Sequence, residues 1–370
     1  MASGRVRLST TAAGKLSRWE QYDYPMTEHY QVTVIGGGPA GLTAALYTTR
    51  LGHDTAVINR GGGRAAMMLD THNVIGVTED VSGNEFLATA TEQIQEYGAD
   101  YFQDFVTGVE PAEAGYRVTA SDIEVTADHV VLATGFSDER PDPPLPRTGR
   151  GLHWCLHCDA YMFVDEPVYV MGTGESAAHV AMIMLNFTPE VDLLTRGEDP
   201  EWSAETGAML KAHPVDVVHE EIVGLEKRDD GWLEAFEFED GTRREYRGGF
   251  PMYGSDYNTD LAESLGVELN DDGTVAVDDH GRTNVDGVYA VGDVTPGHNQ
   301  IPTAMGEGAR CGIGNHYDLR AFPRSVEEIE AEGAVAESEV PAISERLRER
   351  ALAHEGHPSR EEPAAASDDD

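Results

Sequence analysis

The feature that most constrains the fold is a pattern that occurs twice: a short β-branched strand, a glycine-rich turn and a helix of small residues. In the first copy the strand is 31–35, and the turn contains Gly36, Gly38 and Gly41. The first glycine of such a turn allows a tight bend, the second lets the backbone approach a pyrophosphate, and the third allows close helix–strand packing. A lone pattern is weak evidence, but the flanking strand and helix supply the context that dinucleotide binding requires.

The second copy of the pattern lies further along the chain. Its strand is 167–171, its turn contains Gly172 and Gly174, and Ser176 stands where the next helix starts. A further strand follows at 191–195, so this copy completes the same βαβ unit as the first. Two such units predict an α/β protein with two Rossmann-like dinucleotide-binding domains.

The order of the segments predicts that the second domain is inserted into the first. The proline-rich run 141–146 cannot continue a helix or a central strand, so a boundary falls there. We expect an N-terminal extension at 1–29, a first domain built from 30–145 and 251–322, a second domain at 146–250, and an acidic tail at 323–370 that is partly helical and then disordered. Within the first domain, a small antiparallel layer is expected from strands at Tyr101–Val109, Tyr116–Thr119, Ile123–Val125 and His129–Leu132.

Net charge excludes two classes of partner. Asp and Glu total 67 against 26 Lys and Arg, which gives a formal net charge of −41. Such a chain repels phosphate backbones and anionic lipid, so we expect neither a nucleic acid nor a membrane as a partner. The excess of carboxylates resembles that of halophilic proteins, in which concentrated cations screen the repulsion between like charges.

The first 25 residues differ in charge from the rest of the chain. They carry four basic side chains against two acidic ones and lack the apolar core of a secretory signal. Met26 stands just before the first predicted strand. We therefore expect translation to start at Met26, which mass spectrometry of the native N-terminus would test.

Three cysteines in 370 residues exclude a disulfide-rich scaffold. Cys155 and Cys158 form a C-x-x-C pair, which is typical of redox or metal chemistry in a reducing compartment, and we expect a cytoplasmic protein. A structural zinc needs four ligands, and no second C-x-x-C pair completes the set, so no metal is expected. Asp159 follows the pair, and its carboxylate can carry the proton that a thiol loses and regains. The alternative for Asp159 is the N-cap of a following helix.

Two later motifs make the prediction more specific. The segments 130–135 and 283–293 resemble the two later FAD signatures of flavoproteins with two dinucleotide-binding domains. With the first glycine-rich turn ahead of them, they favour FAD as the cofactor. The C-x-x-C-D sequence, placed between an FAD-binding half and a second Rossmann unit, then resembles the low-molecular-weight thioredoxin reductases over about residues 30–320.

This resemblance implies contacts to FAD. Asp293, the last residue of the second signature, would hydrogen-bond the ribityl chain, and Gln300 would contact the flavin. The end of the second strand usually carries an acidic residue for the ribose, and this chain has Asn59 there. The amide oxygen of Asn59 can still accept a hydrogen bond from a hydroxyl group.

The resemblance also implies a dithiol relay. Reduced flavin would pass electrons to the Cys155–Cys158 disulfide, with Cys158 against the flavin and Cys155 attacking the partner. Asp159 would move the protons. The partner would be thioredoxin or a similar small protein, and the enzyme would be a cytosolic homodimer.

The electron donor stays open. By resemblance the second glycine-rich turn, with Ser176, would bind NADPH or NADH. NADPH-dependent members carry basic residues at the end of the next strand to hold the 2′-phosphate. Here Arg196 is the one candidate, and Glu198 and Asp199, which follow it, would repel a phosphate.

Two alternative functions follow from these differences between the chain and the NADPH-dependent members of the family. The missing basic cluster is compatible with a ferredoxin- or deazaflavin-linked reductase, or with an oxidase of dithiols. A protein of another class, a non-catalytic flavin-binding redox sensor, would use the C-x-x-C pair to report oxidation. Steady turnover of a thioredoxin disulfide separates the enzyme from the sensor.

Overall fold

The structure is a computed structural model that describes residues 28–354, so the predicted start at Met26 and the predicted disordered end lie outside it. The strands are β1 (Glu28–Ile35), β2 (Thr55–Asn59), β3 (Asp100–Gln103), β4 (Val106–Pro111), β5 (Tyr116–Ala120), β6 (Glu124–Leu132), β7 (Phe136–Asp138), β8 (Arg147–Thr148), β9 (Gly151–Leu152), β10 (Val168–Met171), β11 (Val191–Leu194), β12 (Val215–Val218), β13 (Ile222–Lys227), β14 (Leu233–Phe238), β15 (Arg243–Glu245), β16 (Gly248–Pro251), β17 (Ser255–Tyr257) and β18 (Val288–Ala290). The helices are α1 (Pro39–Arg50), α2 (Gly83–Tyr97), α3 (Leu156–Asp159), α4 (Glu175–Met184), α5 (Ala204–Ala212), α6 (Asp260–Ser264), α7 (Ile301–Leu319), α8 (Val326–Glu332) and α9 (Glu345–Leu352).

The chain divides into two units. Of the described residues, the first unit holds 28–65, 85–135 and 257–354, and the second holds 66–84 and 136–256. The predicted domain boundaries stay a prediction. The grouping of 66–84 with the second unit was not expected from the sequence.

The first unit is built on a mixed sheet with strand order β3-β2-β1-β6-β5-β4, and β18 pairs with β6 beside it. Strands β3, β2, β1, β6 and β18 run parallel, whereas β5 and β4 are antiparallel. Helices α1 and α7 pack against each other, and their small residues bury Val32, Val34 and Val131 of the parallel strands. Ile35, Val130 and Leu132 of the same strands belong to a second buried cluster. Because the parallel strands are buried on both faces, their β-branched runs are nearly continuous.

Two strand predictions in this unit are wrong. The segments Ile123–Val125 and His129–Leu132 are not separate strands, because β6 runs without a break from Glu124 to Leu132 and pairs antiparallel with β5 and parallel with β1 and β18.

Residues Tyr101–Val109 do not form a single antiparallel strand: β3 joins the parallel part of the sheet beside β2, and the antiparallel strand β4 starts only at Val106. The cause is Asp104, whose buried carboxylate accepts hydrogen bonds from the backbone N–H groups of Phe105, Asp122 and Ile123. These bonds fix a turn between the two strands.

The second unit contains a parallel sheet with strand order β12-β11-β10-β16-β9-β8 and a separate antiparallel sheet, β13-β14-β15. Helix α4 connects β10 to β11 and packs against both. The core between helix and sheet includes Phe163, Val170, Met184 and Phe250. Both units therefore contain the strand–turn–helix–strand unit, and the predicted α/β fold with two Rossmann-like domains is confirmed.

Helices α8 and α9 lie in the acidic C-terminal segment of the first unit. Ser325 and Glu328 form a capping box at the start of α8. Arg346 of α9 donates to the carbonyl oxygen of Gly98 at 2.8 Å and lies 3.4 Å from the carboxylate of Asp100. Among the helices within 28–354, none has the length and apolar character needed to cross a bilayer.

Candidate active site

Cys155 and Cys158 are joined by a disulfide at the first turn of α3. Cys155 is the N-cap of this helix, and its Sγ accepts a hydrogen bond from the backbone N–H of Cys158 at 3.1 Å. The same N–H group would stabilise a thiolate formed at Cys155 through this hydrogen bond. Both side chains are partly exposed.

The carboxylate of Asp159 lies between two histidines. Oδ2 accepts from Nδ1 of His153 at 2.8 Å, and Oδ1 accepts from Nδ1 of His72 at 3.2 Å. Asp159 occupies the N-cap position of the short 3₁₀ helix 160–163, but its side chain makes no capping hydrogen bond. The helix-capping alternative for Asp159 is therefore wrong, because both carboxylate oxygens bind imidazoles.

The segment 66–84 contributes a second contact to the disulfide. Nδ2 of Asn73 donates to Sγ of Cys158 at 3.5 Å, a normal length for a hydrogen bond to sulfur. Sequence reasoning missed His72, Asn73 and His153. Only the position of His153, two residues before Cys155, was a usable signal, because His72 and Asn73 reach the site through the tertiary fold.

The first glycine-rich turn has the geometry of a pyrophosphate loop. Gly36 adopts a φ of +111°, and a Cβ there would lie 2.2 Å from the carbonyl oxygen of Ala133. A Cβ at Gly41 would lie 2.1 Å from the carbonyl oxygen of Gly36, so the helix packs directly on the turn. Gly38 is the N-cap of α1 without a side-chain cap, and a Cβ there would meet nothing within 4 Å. The turn thus leaves room for a phosphate at the positive end of α1.

The remaining residues predicted to contact FAD lie in the same unit. Nδ2 of Asn59 donates to the hydroxyl of Tyr101 at 2.8 Å, so its Oδ1 is the atom that would accept from a ribose. The carboxylate of Asp293 lies 3.9 Å from Nη1 of Arg64. Gln300 is the N-cap residue of α7, and its Nε2 donates to the carbonyl oxygen of Asn299 at 3.1 Å.

Glu307 of α7 supports the loop that carries Asp293. Its Oε2 accepts from the backbone N–H of Gly292 at 2.9 Å. Burial raises the pKa of Glu307 above its usual range. Glu307 was not among the predicted site residues. Its hydrogen bond to Gly292 links α7 to the second FAD signature.

The second glycine-rich turn has a similar geometry. Gly172 adopts a φ of +139°, and Gly174 is the N-cap of α4 with open space where a Cβ would stand. Ser176 is exposed in the first turn of α4. Glu175, also in that turn, accepts hydrogen bonds from Thr206, whose hydroxyl donates at 2.5 Å, and from Ser203, and these bonds lower its pKa. A fixed negative charge therefore stands at this helix N-terminus.

Arg196 is not positioned for the role that was predicted. Its side chain is only 6% exposed, and its guanidinium donates to the carbonyl oxygen of Asp142 at 2.6 Å and to Glu221 at 3.0 Å. Glu198 and Asp199, by contrast, are exposed. The end of β11 thus presents carboxylates to the solvent, while its arginine is engaged inside the unit.

Cys311 has no part in this chemistry. It is a free thiol on α7, fully buried, and burial raises its pKa well above the usual range. A buried free cysteine of this kind packs as a small apolar residue. Within residues 28–354, no cluster of three or more His, Cys, Asp or Glu side chains could hold a metal ion.

Residues 30–308 match the model of the family described as pyridine nucleotide-disulphide oxidoreductase. The chain belongs to this family. A thioredoxin reductase of Peptoclostridium litorale is 31% identical over 310 residues, which cover 78% of this chain and 96% of that protein. A thioredoxin reductase of Streptomyces clavuligerus is 30% identical over 332 residues, and the match covers 84% of this chain and 100% of that protein.

A solved structure of a thioredoxin reductase is also similar to this chain. The thioredoxin reductase from Streptococcus pyogenes MGAS5005 has a TM-score of 0.73 at 28% identity, and the match covers 80% of this chain and 100% of that one. The protein is accordingly a thioredoxin-reductase-like flavoprotein oxidoreductase of the pyridine nucleotide-disulphide oxidoreductase family.

Membership of the family implies FAD and a nicotinamide nucleotide, and the residues present fit the two groups differently. The open N-terminus of α1 and the bare glycine turn fit an FAD pyrophosphate. The backbone of the second glycine-rich turn, which precedes α4, has the conformation and the open space that a dinucleotide requires. A 2′-phosphate does not fit equally well, because Arg196 is already bonded and two carboxylates follow it.

We predict that Arg196 stabilises the second unit and does not bind nucleotide. Arg196→Met is expected to lower the free energy of unfolding by about 1–3 kcal/mol, since Glu221 and the Asp142 carbonyl lose a charged donor. Denaturant unfolding of the variant measures this, with the exposed Arg228→Met as a control expected to stay within about 0.5 kcal/mol of the parent. Unchanged stability with weakened nucleotide binding would restore the phosphate-binding role.

Proposed function

We propose that this flavoprotein is a disulfide reductase that passes electrons from bound FAD, through the Cys155–Cys158 pair, to thioredoxin or a similar small protein disulfide. The observation that carries the proposal is the partly exposed Cys155–Cys158 disulfide, in which Sγ of Cys155 accepts a hydrogen bond from the Cys158 N–H. Asp159 follows the pair directly in the sequence. The thioredoxin reductases among the relatives support the choice of partner. A homodimer in the cytoplasm is part of the same proposal.

The chain's own residues would perform the thiol chemistry as follows. FAD, when bound and reduced by the electron donor, would supply the electron pair that breaks the Cys155–Cys158 bond, and one sulfur takes a proton while the other stays a thiolate. The Cys155 thiolate then attacks the partner disulfide, forming a mixed disulfide and releasing one partner sulfur as a thiol after it takes a proton. Cys158 attacks Sγ of Cys155, re-forms the internal disulfide and releases the second partner sulfur. Asp159 is the proposed carrier of these protons.

We propose FAD contacts from the residues predicted for them. The pyrophosphate would bind at Gly36, Gly38 and Gly41, the ribose at Asn59, and the flavin and ribityl chain at Gln300 and Asp293. The open space at Gly38 supports this arrangement. Gly172, Gly174 and Ser176 would hold the nicotinamide nucleotide.

NADPH is not the preferred donor in this proposal. The exposed carboxylates Glu198 and Asp199 would stand where a 2′-phosphate must bind, and each repulsive pair at an exposed site costs about 0.2–1 kcal/mol. Anaerobic titration of the holoenzyme is therefore expected to reduce the flavin at a concentration of NADH roughly 10-fold lower than that of NADPH. The double variant Glu198→Arg/Asp199→Arg should narrow or reverse this difference.

The same titration separates the alternative functions. Reduction by ferredoxin, with neither nicotinamide nucleotide effective, would replace the nicotinamide part of the proposal with a ferredoxin-linked reductase. Flavin reduction by added dithiol with release of hydrogen peroxide in air, and no turnover of oxidised thioredoxin, would identify a dithiol oxidase. If no combination of electron donor and disulfide gives turnover, the remaining function is that of a redox sensor.

A further inference from the structure

We propose that a cavity in the second unit binds a small organic anion, in which a carboxylate is joined to an apolar body. The cavity has a volume of about 380 Å³, which lies within the range of small-molecule sites, about 300–1,000 Å³. All of its lining residues belong to the second unit, in the segments 67–69 and 140–152. The proposal concerns binding alone and does not depend on the proposed reductase activity.

The larger part of the cavity wall is apolar. Five side chains form it: Met67, Leu69, Leu145, Pro146 and Leu152. Leu69 packs on the backbone at Gly149, because a Cβ at that glycine would lie 2.7 Å from Cδ1 of Leu69. Leu152 is fully buried. Since the removal of apolar surface from water is favourable, this wall favours a ligand with an apolar body over a bare inorganic anion.

The rest of the wall is basic or polar. It consists of Arg140, Arg147 and Thr148, and none of the described residues that line the cavity is acidic. Neither arginine forms an ion pair with a carboxylate of residues 28–354, whereas Arg243 and Arg244 each pair with at least two. This is unexpected in a chain with 67 acidic and 26 basic residues. Two guanidinium groups at one cavity repel each other, and a bound anion offsets that repulsion.

The guanidinium of Arg140 is held in place by partners that do not neutralise its charge. Its Cζ lies 5.3 Å from the ring centroid of Trp154, and its Nη2 donates to Sδ of Met67 at 3.5 Å. A guanidinium carries five N–H donors in a planar fork, so donors remain for a ligand. Such a fork binds a carboxylate through two parallel hydrogen bonds.

Thr148 adds a hydroxyl group to the two cations. Its Oγ1 accepts a hydrogen bond from Nε1 of Trp154 at 3.2 Å, so the hydroxyl hydrogen can be donated to an anion. The polar part of the wall therefore offers donors to a ligand. A carboxylate with an apolar body matches this lining, whereas a cation, or a sugar with donors along its length, does not.

Trp154 connects the cavity to the redox pair. Its indole contacts Arg140 and Thr148, and Cys155 follows it directly in the sequence. A ligand in the cavity changes the surroundings of this indole. We therefore expect its binding to alter the tryptophan fluorescence as well as to release or absorb heat.

The test is isothermal titration calorimetry of the oxidised holoenzyme with 3-phenylpropionate and with its neutral isostere 3-phenylpropanamide. We expect saturable binding of one 3-phenylpropionate per chain, at least about 10-fold tighter than that of the amide or of inorganic phosphate. Arg140→Gln and Arg147→Gln keep polar side chains but remove the charges, so each should weaken the binding at least about 5-fold. The matched control is Arg228→Gln, an exposed arginine of the second unit outside the cavity, which should stay within about 2-fold of the parent.

Four outcomes would overturn the proposal: no saturable binding of 3-phenylpropionate, equal binding of the amide, equal binding of inorganic phosphate, or an equal loss in Arg228→Gln and the two cavity variants. The comparison of the three probes in the parent protein decides the question even if a variant fails to fold, which circular dichroism reveals. No electron donor or partner protein is present in the titration. A failure of the proposed thioredoxin reduction would therefore leave this result unchanged.

Discussion

Replacing Cys155 or Cys158 by serine is expected to abolish disulfide turnover, by at least about 10³-fold, while bound FAD is retained. A serine hydroxyl cannot form the S–S bond that links flavin to partner. The two variants should nevertheless differ. Cys158→Ser keeps the thiol at the helix N-terminus and should accumulate a mixed disulfide with the partner, visible on a non-reducing gel, whereas Cys155→Ser should not.

The matched control is Cys311→Ala, the third cysteine of the chain, which is buried on α7. It should turn over thioredoxin at the parent rate within about 2-fold, since its thiol takes no part in the relay. Retained turnover in either serine variant would contradict the relay. Accumulation of the mixed disulfide in Cys155→Ser instead of Cys158→Ser would reverse the roles of the two sulfurs.

A methyl group at Gly41 is expected to remove most of the bound FAD. The Cβ of Gly41→Ala would lie 2.1 Å from the carbonyl oxygen of Gly36, 3.0 Å from Cβ of Ala133 and 3.1 Å from Val34. The nearest of these atoms belongs to the backbone, which cannot move aside as a flexible side chain can. Helix α1 must therefore move away from the turn, at a cost of about 1–3 kcal/mol. The N–H groups at the helix start then no longer meet the pyrophosphate, and the flavin absorbance per protein should fall at least about 5-fold.

Gly108→Ala is the matched control in the same unit. Gly108 lies in β4 with an ordinary φ, and a Cβ there meets nothing within 4 Å. This variant should keep full flavin content and stability equal to or above that of the parent, because alanine restricts the unfolded chain more than glycine does. Full flavin content in Gly41→Ala would show that FAD does not depend on this turn.

The glycine turns were predictable because their requirement is local. A positive φ at Gly36 and Gly172, and close packing at Gly41, depend on neighbours within a few residues of the turn or on the strand beside it. The C-x-x-C pair was predictable for the same reason, since only two residues lie between its members and one helical turn brings them together. The sequence did not indicate that 101–109 forms two strands. The reason is that the buried carboxylate of Asp104 accepts hydrogen bonds from residues in the connection between β5 and β6, which is distant in the sequence.

Arg196 shows how a sequence pattern can mislead. Its position after β11 matches that of a phosphate-binding cation, and nothing local indicates that its side chain is buried. Its partner Glu221 is distant in sequence and meets it through the fold. A charge in the right place along the chain is therefore not the same as a charge available to a ligand.

The sequence by itself determined the two Rossmann-like units, the dinucleotide turns and the redox pair, because each is encoded in a short segment whose glycines or cysteines permit few other structures. Only the tertiary structure decided the surroundings of Asp159. His72 is distant from Asp159 in the sequence, and its imidazole gained a partner when segment 66–84 packed within the second unit. Proton transfer depends on such distances between separate segments, and composition and spacing do not encode them.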